Sequence, residues 1–211
     1  MYWSVRNYWL REYASGCAAQ ELIWTAWRLP FAALYLWLFF TEARAAGVRR
    51  SMPWHPLLLG VLAFDLVSLP FAGGNLGLDA GCRMVFVLTT PVVALREELI
   101  YRVIVQSALE RIFAAPVAIL VATFVFVVSH IGAQPMTLMS VMSLAAGGVA
   151  LGAIYQRTRN LWVVVFLHCL YDVIALVPSA PSTAPGWNVL ANLLTMLGVM
   201  VWWKIDDEKQ R

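Results

Sequence analysis

Charge is what this chain has least of. Of its 211 residues only 13% are Asp, Glu, Lys or Arg, against 61% hydrophobic, and mean hydropathy is +0.72. Soluble chains average about 25% charged residues, so the composition argues against a water-soluble globule. A net charge of +3 gives no nucleic-acid signal. The three cysteines, Cys17, Cys82 and Cys169, show neither a CxxC pair nor metal-ligand spacing, and their odd number implies no disulfide framework. HExxH and its relatives are absent, so no zinc-protease signature is present. Cys17 stands in ASGC, which superficially resembles a lipoprotein cleavage box. Arg6, Arg11 and Glu12 precede it without an apolar run, so we expect neither that box nor a cleavable signal peptide. Repeats and low-complexity linkers are lacking too, which predicts one membrane-embedded domain over 1–211.

The apolar residues that replace the missing charge fall into long runs. A helical span needs about 20 largely apolar residues. Seven are predicted, at about 23–40, 54–71, 84–110, 116–130, 137–154, 161–177 and 188–203. The third is interrupted by Pro91 and by a charged string. Residues 1–20, with Trp3, Tyr8, Trp9 and Tyr13, read as an interfacial helix. The fold class is therefore all-α, a polytopic membrane helix bundle with an N-terminal interfacial segment. Arginines cluster in the loops 41–53 (Arg44, Arg49, Arg50) and 155–160 (Arg157, Arg159) and at Arg111, while the tail holds Lys204, Lys209 and Arg211. Connections 72–82, 131–136 and 178–187 hold no Lys or Arg before Arg83. This alternation places the C-terminus in the cytoplasm by the positive-inside rule. Arg6 and Arg11 run against it, because seven spans leave the N-terminus outside.

Within that apolar frame stands the string EELIYR, residues 97–102. An Arg, Lys or Asp at the bilayer centre costs roughly 2.5–3.5 kcal/mol on insertion scales. Arg96, Glu97, Glu98 and Arg102 thus burden a single segment by roughly 10 kcal/mol before pairing. Residues so expensive usually face a protein interior and do chemistry or move ions. Glu98 and Arg102 are four apart with the acid first, the better order for a helical ion pair. Glu97 points about a quarter-turn away and has no local partner. Arg96 either snorkels or meets a peptide carboxylate. His130 closes FVFVVSH one turn after Phe126, and His168 and Asp172 share a face in HCLYD. At about 1.5 Å per residue, Glu97, His130 and Asp172 lie roughly 16–21 Å from the inner ends and His168 roughly 10 Å. Three helices therefore bring polar groups to similar depths, which favours one shared site. Asp65, alone in the second span, has no motif around it.

These motifs, Glu97-Glu98-Arg102, Phe126-His130 and His168-Asp172, follow the order EExxxR, FxxxH, HxxxN/D. The chain thereby resembles the CAAX-protease and bacteriocin-processing (CPBP, or Abi) family of glutamic intramembrane proteases over the core 84–175. The resemblance implies a metal-independent endopeptidase with a water nucleophile and no cofactor. It implies Glu97 as general base, His130 as its helper in orienting and deprotonating the water, and His168 with position 172 as stabilisers of the oxyanion. Glu98 and Arg102 would hold the Glu-bearing helix in place. Many members carry Asn at position 172, which can donate a hydrogen bond; an ionised Asp cannot. Either Asp172 is protonated, or it accepts a proton from His168 and keeps that ring oriented. The second is the expectation.

Two other function classes compete. Intramembrane Glu, His and Asp also mark proton-coupled carriers, but the two similar halves common in transporters are not visible. A catalytically silent membrane scaffold is the other. Two His and a Glu would also suit zinc, which makes a metalloprotease the rival within the enzyme class. The implied partners are a membrane-associated protein or peptide substrate and the lipid bilayer, without nucleic acid. Short loops and the lack of eukaryotic targeting signals point to a bacterial inner membrane and away from prenylated substrates by default.

Overall fold

The computed structural model describes residues 17–38, 41, 79–131, 136–176, 194, 197–198 and 201. Among these residues the structure is all-helical, with no β-strand. Five rods form, which we label in chain order. They are α1 (Cys17–Leu38), α2 (80–109), α3 (Ala115–Ser129), α4 (Leu138–Thr158) and α5 (Leu161–Leu176). The predicted span 54–71 and residues 1–16 of the interfacial segment lie outside the described residues. Residues 17–20, also assigned to that segment, belong to α1. Of the predicted span 188–203, residues 194, 197, 198 and 201 are helical and exposed.

Local chemistry sets the helix ends. Asp79 caps α2, its carboxylate accepting from the Cys82 N–H at 2.8 Å, which satisfies one of the orphan donors of a first turn. Pro116 sits in the first turn of α3, where its missing N–H costs nothing. Thr137 caps α4, accepting from the Ser140 N–H at 3.2 Å. Arg159 ends α4 at φ 48° and sends its N–H to the Tyr155 carbonyl at 2.7 Å. Asn160 then caps α5, accepting from the Trp162 N–H at 3.0 Å.

The interruption expected in α2 takes a different form. Pro91 lies inside an unbroken helix, and within the charged string the hydrogen bonding switches to a π pattern over Leu99–Gln106 before the α pattern resumes at Ser107–Leu109. An α-helix carries four-spaced residues about 40° further round at each step; the wider π turn takes some of that rotation back. Glu98, Arg102 and Gln106 accordingly stay on one inward face, each 0% exposed.

The core gathers Ala94, Leu99, Ile119, Ala153, Val164 and Leu167 from four helices. α2 packs against α1 and α5, and α3 lies against α4 and the π segment. Gly148 and Gly152 permit the approach to α4. A Cβ at Gly148 would lie 2.7 Å from Thr123 Cγ2, and one at Gly152 would lie 3.0 Å from Ile119 Cγ2. Outward faces are apolar: Leu88, Leu120, Phe124, Trp162 and Phe166 are all exposed. α4 is long and apolar enough to cross a membrane, while Ala115–Ser129 and Leu161–Val173 are apolar but shorter. One expectation needs correction: Cys82 is disulfide-bonded. An odd cysteine count rules out full pairing, not a single bridge between cysteines the fold brings together.

Candidate active site

α2 places Glu97 and Glu98 on adjacent positions, both buried at 8% and 0% exposure. Glu98 faces the core, where its Oε2 accepts from Arg102 Nε at 2.9 Å. Its other oxygen, Oε1, is 2.7 Å from His168 Nδ1 on α5. A carboxylate accepts here, so Nδ1 donates, and Nε2 of His168 is turned towards Glu97. Glu98 is thus more than the helix-holding partner of Arg102 that the resemblance implies; it fixes the His168 ring.

Glu97 lies between the two imidazoles. Its Oε2 is 3.9 Å from His168 Nε2 and 3.9 Å from His130 Nε2. Its Oε1 is 3.4 Å from Arg96 Nη2, which puts Arg96 beside the acid rather than out with the lipid. His130 follows the last turn of α3, and its Nδ1 lies 2.8 Å from the Phe126 carbonyl. A carbonyl only accepts, so Nδ1 carries the proton and a neutral His130 presents a lone pair on Nε2. Phe126 supports both rings, with centroids 4.5 Å from His130 and 6.3 Å from His168. Arg102 lies over the same phenyl ring at 5.7 Å.

Asp172 is four residues beyond His168, with Oδ2 at 3.7 Å from His168 Nε2 and its side chain 32% exposed. That separation exceeds a direct hydrogen bond. The orienting contact expected of Asp172 belongs to Glu98, and Asp172 instead stands at the open side of the site beside Nε2. Every residue singled out in the three motifs is therefore within one cluster. Two neighbours escaped sequence reasoning. Tyr101 donates to Ser129 Oγ at 2.6 Å beside His130, and Gln106 Nε2 donates to the Gly152 carbonyl at 3.0 Å behind Arg102. Four-residue spacing (98, 102, 106) was the only available signal for Gln106.

Among the described residues, no three His, Cys, Asp or Glu side chains are placed to hold a metal ion together. The arrangement is a shielded carboxylate facing two imidazoles, braced by a second carboxylate and a guanidinium. It suits the transfer of a proton from a small polar molecule held in the gap.

Residues 80–174 match the family model described as type II CAAX prenyl endopeptidase Rce1-like. This segment contains the whole cluster, and the match supports the CPBP/CAAX-protease family. That family is one of integral membrane endopeptidases. No curated protein and no solved structure matches the chain.

Proposed function

We propose that the protein is an intramembrane glutamic endopeptidase that cleaves a peptide bond near a membrane anchor or terminus of its substrate, with Glu97 as base for a water nucleophile. One observation carries the reading: the same oxygen, Glu97 Oε2, stands 3.9 Å from both His130 Nε2 and His168 Nε2. Each gap is too wide for a direct hydrogen bond and suits one water at about 2.8 Å from its partners.

In the proposed reaction that water donates to Glu97 and to the Nε2 lone pair of His130. Glu97 takes one proton as the water oxygen bonds to the scissile carbonyl carbon. The carbonyl oxygen becomes an oxyanion facing His168. With Nδ1 donating to Glu98, His168 offers a second donor at Nε2 only as an imidazolium. The carboxylates of Glu97, Glu98 and Asp172 at 2.7–3.9 Å attract that form by charge. Donors so aimed contribute about 2.7–4 kcal/mol each. The proton on Glu97 then passes to the amide nitrogen as the C–N bond breaks, leaving a carboxylic acid, an amine and the regenerated carboxylate. No metal or cofactor enters this sequence. Arg102 holds Glu98, and Asp172, beside Nε2, supports the imidazolium that faces the oxyanion.

The wider reading goes with it: a single domain over 1–211 with seven spans, in a bacterial inner membrane, its C-terminus cytoplasmic. At 15 residues α3 runs about 22 Å, short of the roughly 30 Å hydrocarbon core. A helix entering at the inner face would therefore end with His130 inside the membrane. The test is comparative proteomics of peptide termini in membranes from cells holding the wild type or Glu97→Gln at equal abundance. We expect termini next to a hydrophobic segment that disappear in the variant. Identical terminus sets would refute the proposal.

A further inference from the structure

His130 stands at a helix end: it follows the final turn of α3, with its side chain 18% exposed. Its base-assisting role requires Nε2 to point at Glu97, and the local contacts supply that constraint from a second helix. The Tyr101 hydroxyl, on a residue only 7% exposed, donates to Ser129 Oγ at 2.6 Å. Ser129 Oγ in turn donates to the Phe126 carbonyl at 2.7 Å, the same carbonyl that receives His130 Nδ1 at 2.8 Å. Ser129 Oγ is also 3.4 Å from His130 Nδ1 itself. The Tyr101 ring packs edge-on against Phe126 at 5.2 Å.

Register explains why these contacts matter. Glu97 and Tyr101 are one turn apart on α2, and Phe126 and His130 are one turn apart on α3. The pairs Glu97–His130 and Tyr101–Phe126 are therefore successive rungs between the same two helices, and the Tyr101 hydroxyl reaches from the second rung to Ser129. A hydroxyl bridge at the second rung sets the spacing and rotation of α3 relative to the helix that bears Glu97. The 3.9 Å gap at the first rung follows from it.

We infer that Tyr101 and Ser129 are positioning residues for His130, acting through the shared Phe126 carbonyl. This rests on the proposed function for its catalytic consequence, but ring placement can be read without substrate. The chain contains only three histidines, His55, His130 and His168. Full-length protein labelled with 15N-histidine in detergent micelles therefore gives few ring signals, assigned by replacing His55 and His168 in turn. Tyr101→Phe keeps the ring against Phe126 and removes only the hydroxyl; Ser129→Ala removes the middle of the bridge. Both are expected to shift the His130 ring 15N signals and leave those of His168 in place. On a peptide spanning a site found by terminus mapping, both should lower kcat about tenfold, the loss of roughly one hydrogen bond, with KM within twofold. Ser129→Thr, which keeps the hydroxyl, should restore both readouts. Unchanged His130 signals in Tyr101→Phe and Ser129→Ala would overturn the inference. So would equal movement of the His168 signals, since that reports a general repacking. A wild type without any cleavage would refute the proposed function and leave the ring signals to decide the positioning.

Discussion

Replacing Arg102 with methionine leaves a fully buried carboxylate with one of its two partners. In the native protein Arg102 Nε is 2.9 Å from Glu98 Oε2, both side chains are 0% exposed, and His168 Nδ1 holds the other oxygen at 2.7 Å. Breaking a buried pair from one side costs about 3–5 kcal/mol. Two features move the value to the lower end. His168 still pairs with Oε1, and the buried Nη1 and Nη2 of Arg102 have no hydrogen-bond partner, so their removal relieves two unsatisfied donors. The contact with Phe126 works the other way, by about 0.5–2 kcal/mol. A net loss of about 3 kcal/mol follows, roughly two decades in the folded-to-unfolded ratio. The assay is reversible SDS unfolding in mixed micelles for wild type, Arg102→Met, Glu98→Gln and the double variant. The double variant should lose about 2 kcal/mol less than the sum of the singles, because neither group remains to be stranded. Additivity within about 0.5 kcal/mol would refute the reasoning, and with it the claim that this ion pair is the platform on which His168 rests.

Other outcomes follow from the same geometry. Gly148→Ala puts a Cβ 2.7 Å from Thr123 Cγ2 and should cost about 1–3 kcal/mol, whereas Gly147→Ala meets nothing within 4 Å and should be neutral in the same unfolding assay. Asp172→Asn should keep substantial cleavage, and Asp172→Ala should leave the His168 ring in place, since Glu98 holds it; His168 ring signals displaced in Asp172→Ala as far as in Glu98→Ala would return the orienting role to Asp172. Cleavage should persist undiminished in EDTA and in 1,10-phenanthroline, and activity restored by zinc after chelation would contradict the water–carboxylate mechanism.

Much of the helical frame was legible from apolar runs, because a residue facing lipid or core has no polar alternative. The span predicted at 116–130 differs from the observed α3 by one residue at each end, and that at 161–177 starts with α5 and agrees with it as far as Leu176, beyond which position 177 lies outside the described residues. α4 runs four residues past the predicted 137–154, to Thr158: Tyr155, Gln156 and Arg157 look like loop by hydropathy, yet Tyr155 is buried in the core. The π segment of α2 was invisible, since hydropathy reports burial and not which carbonyl each N–H meets. The site was legible as membership and not as wiring. Depth brought Glu97, His130 and Asp172 together, and motif order added His168. The i,i+4 pairing of Glu98 with Arg102, and of His168 with Asp172, hid the stronger contact between Glu98 and His168. That contact joins residues 70 positions apart, and only helix packing decides it. Tyr101 and Ser129 escaped for the same reason.

The account's central claim is that Glu97 takes the proton from the attacking water. The most direct measurement is the single-turnover rate of purified Glu97→Gln on a peptide spanning a mapped cleavage site, with abundance, unfolding midpoint and KM measured in parallel. Losing a positioned base should lower the rate by about 10²–10⁴ while those three quantities stay at wild-type values. A rate within a few-fold of wild type would contradict it.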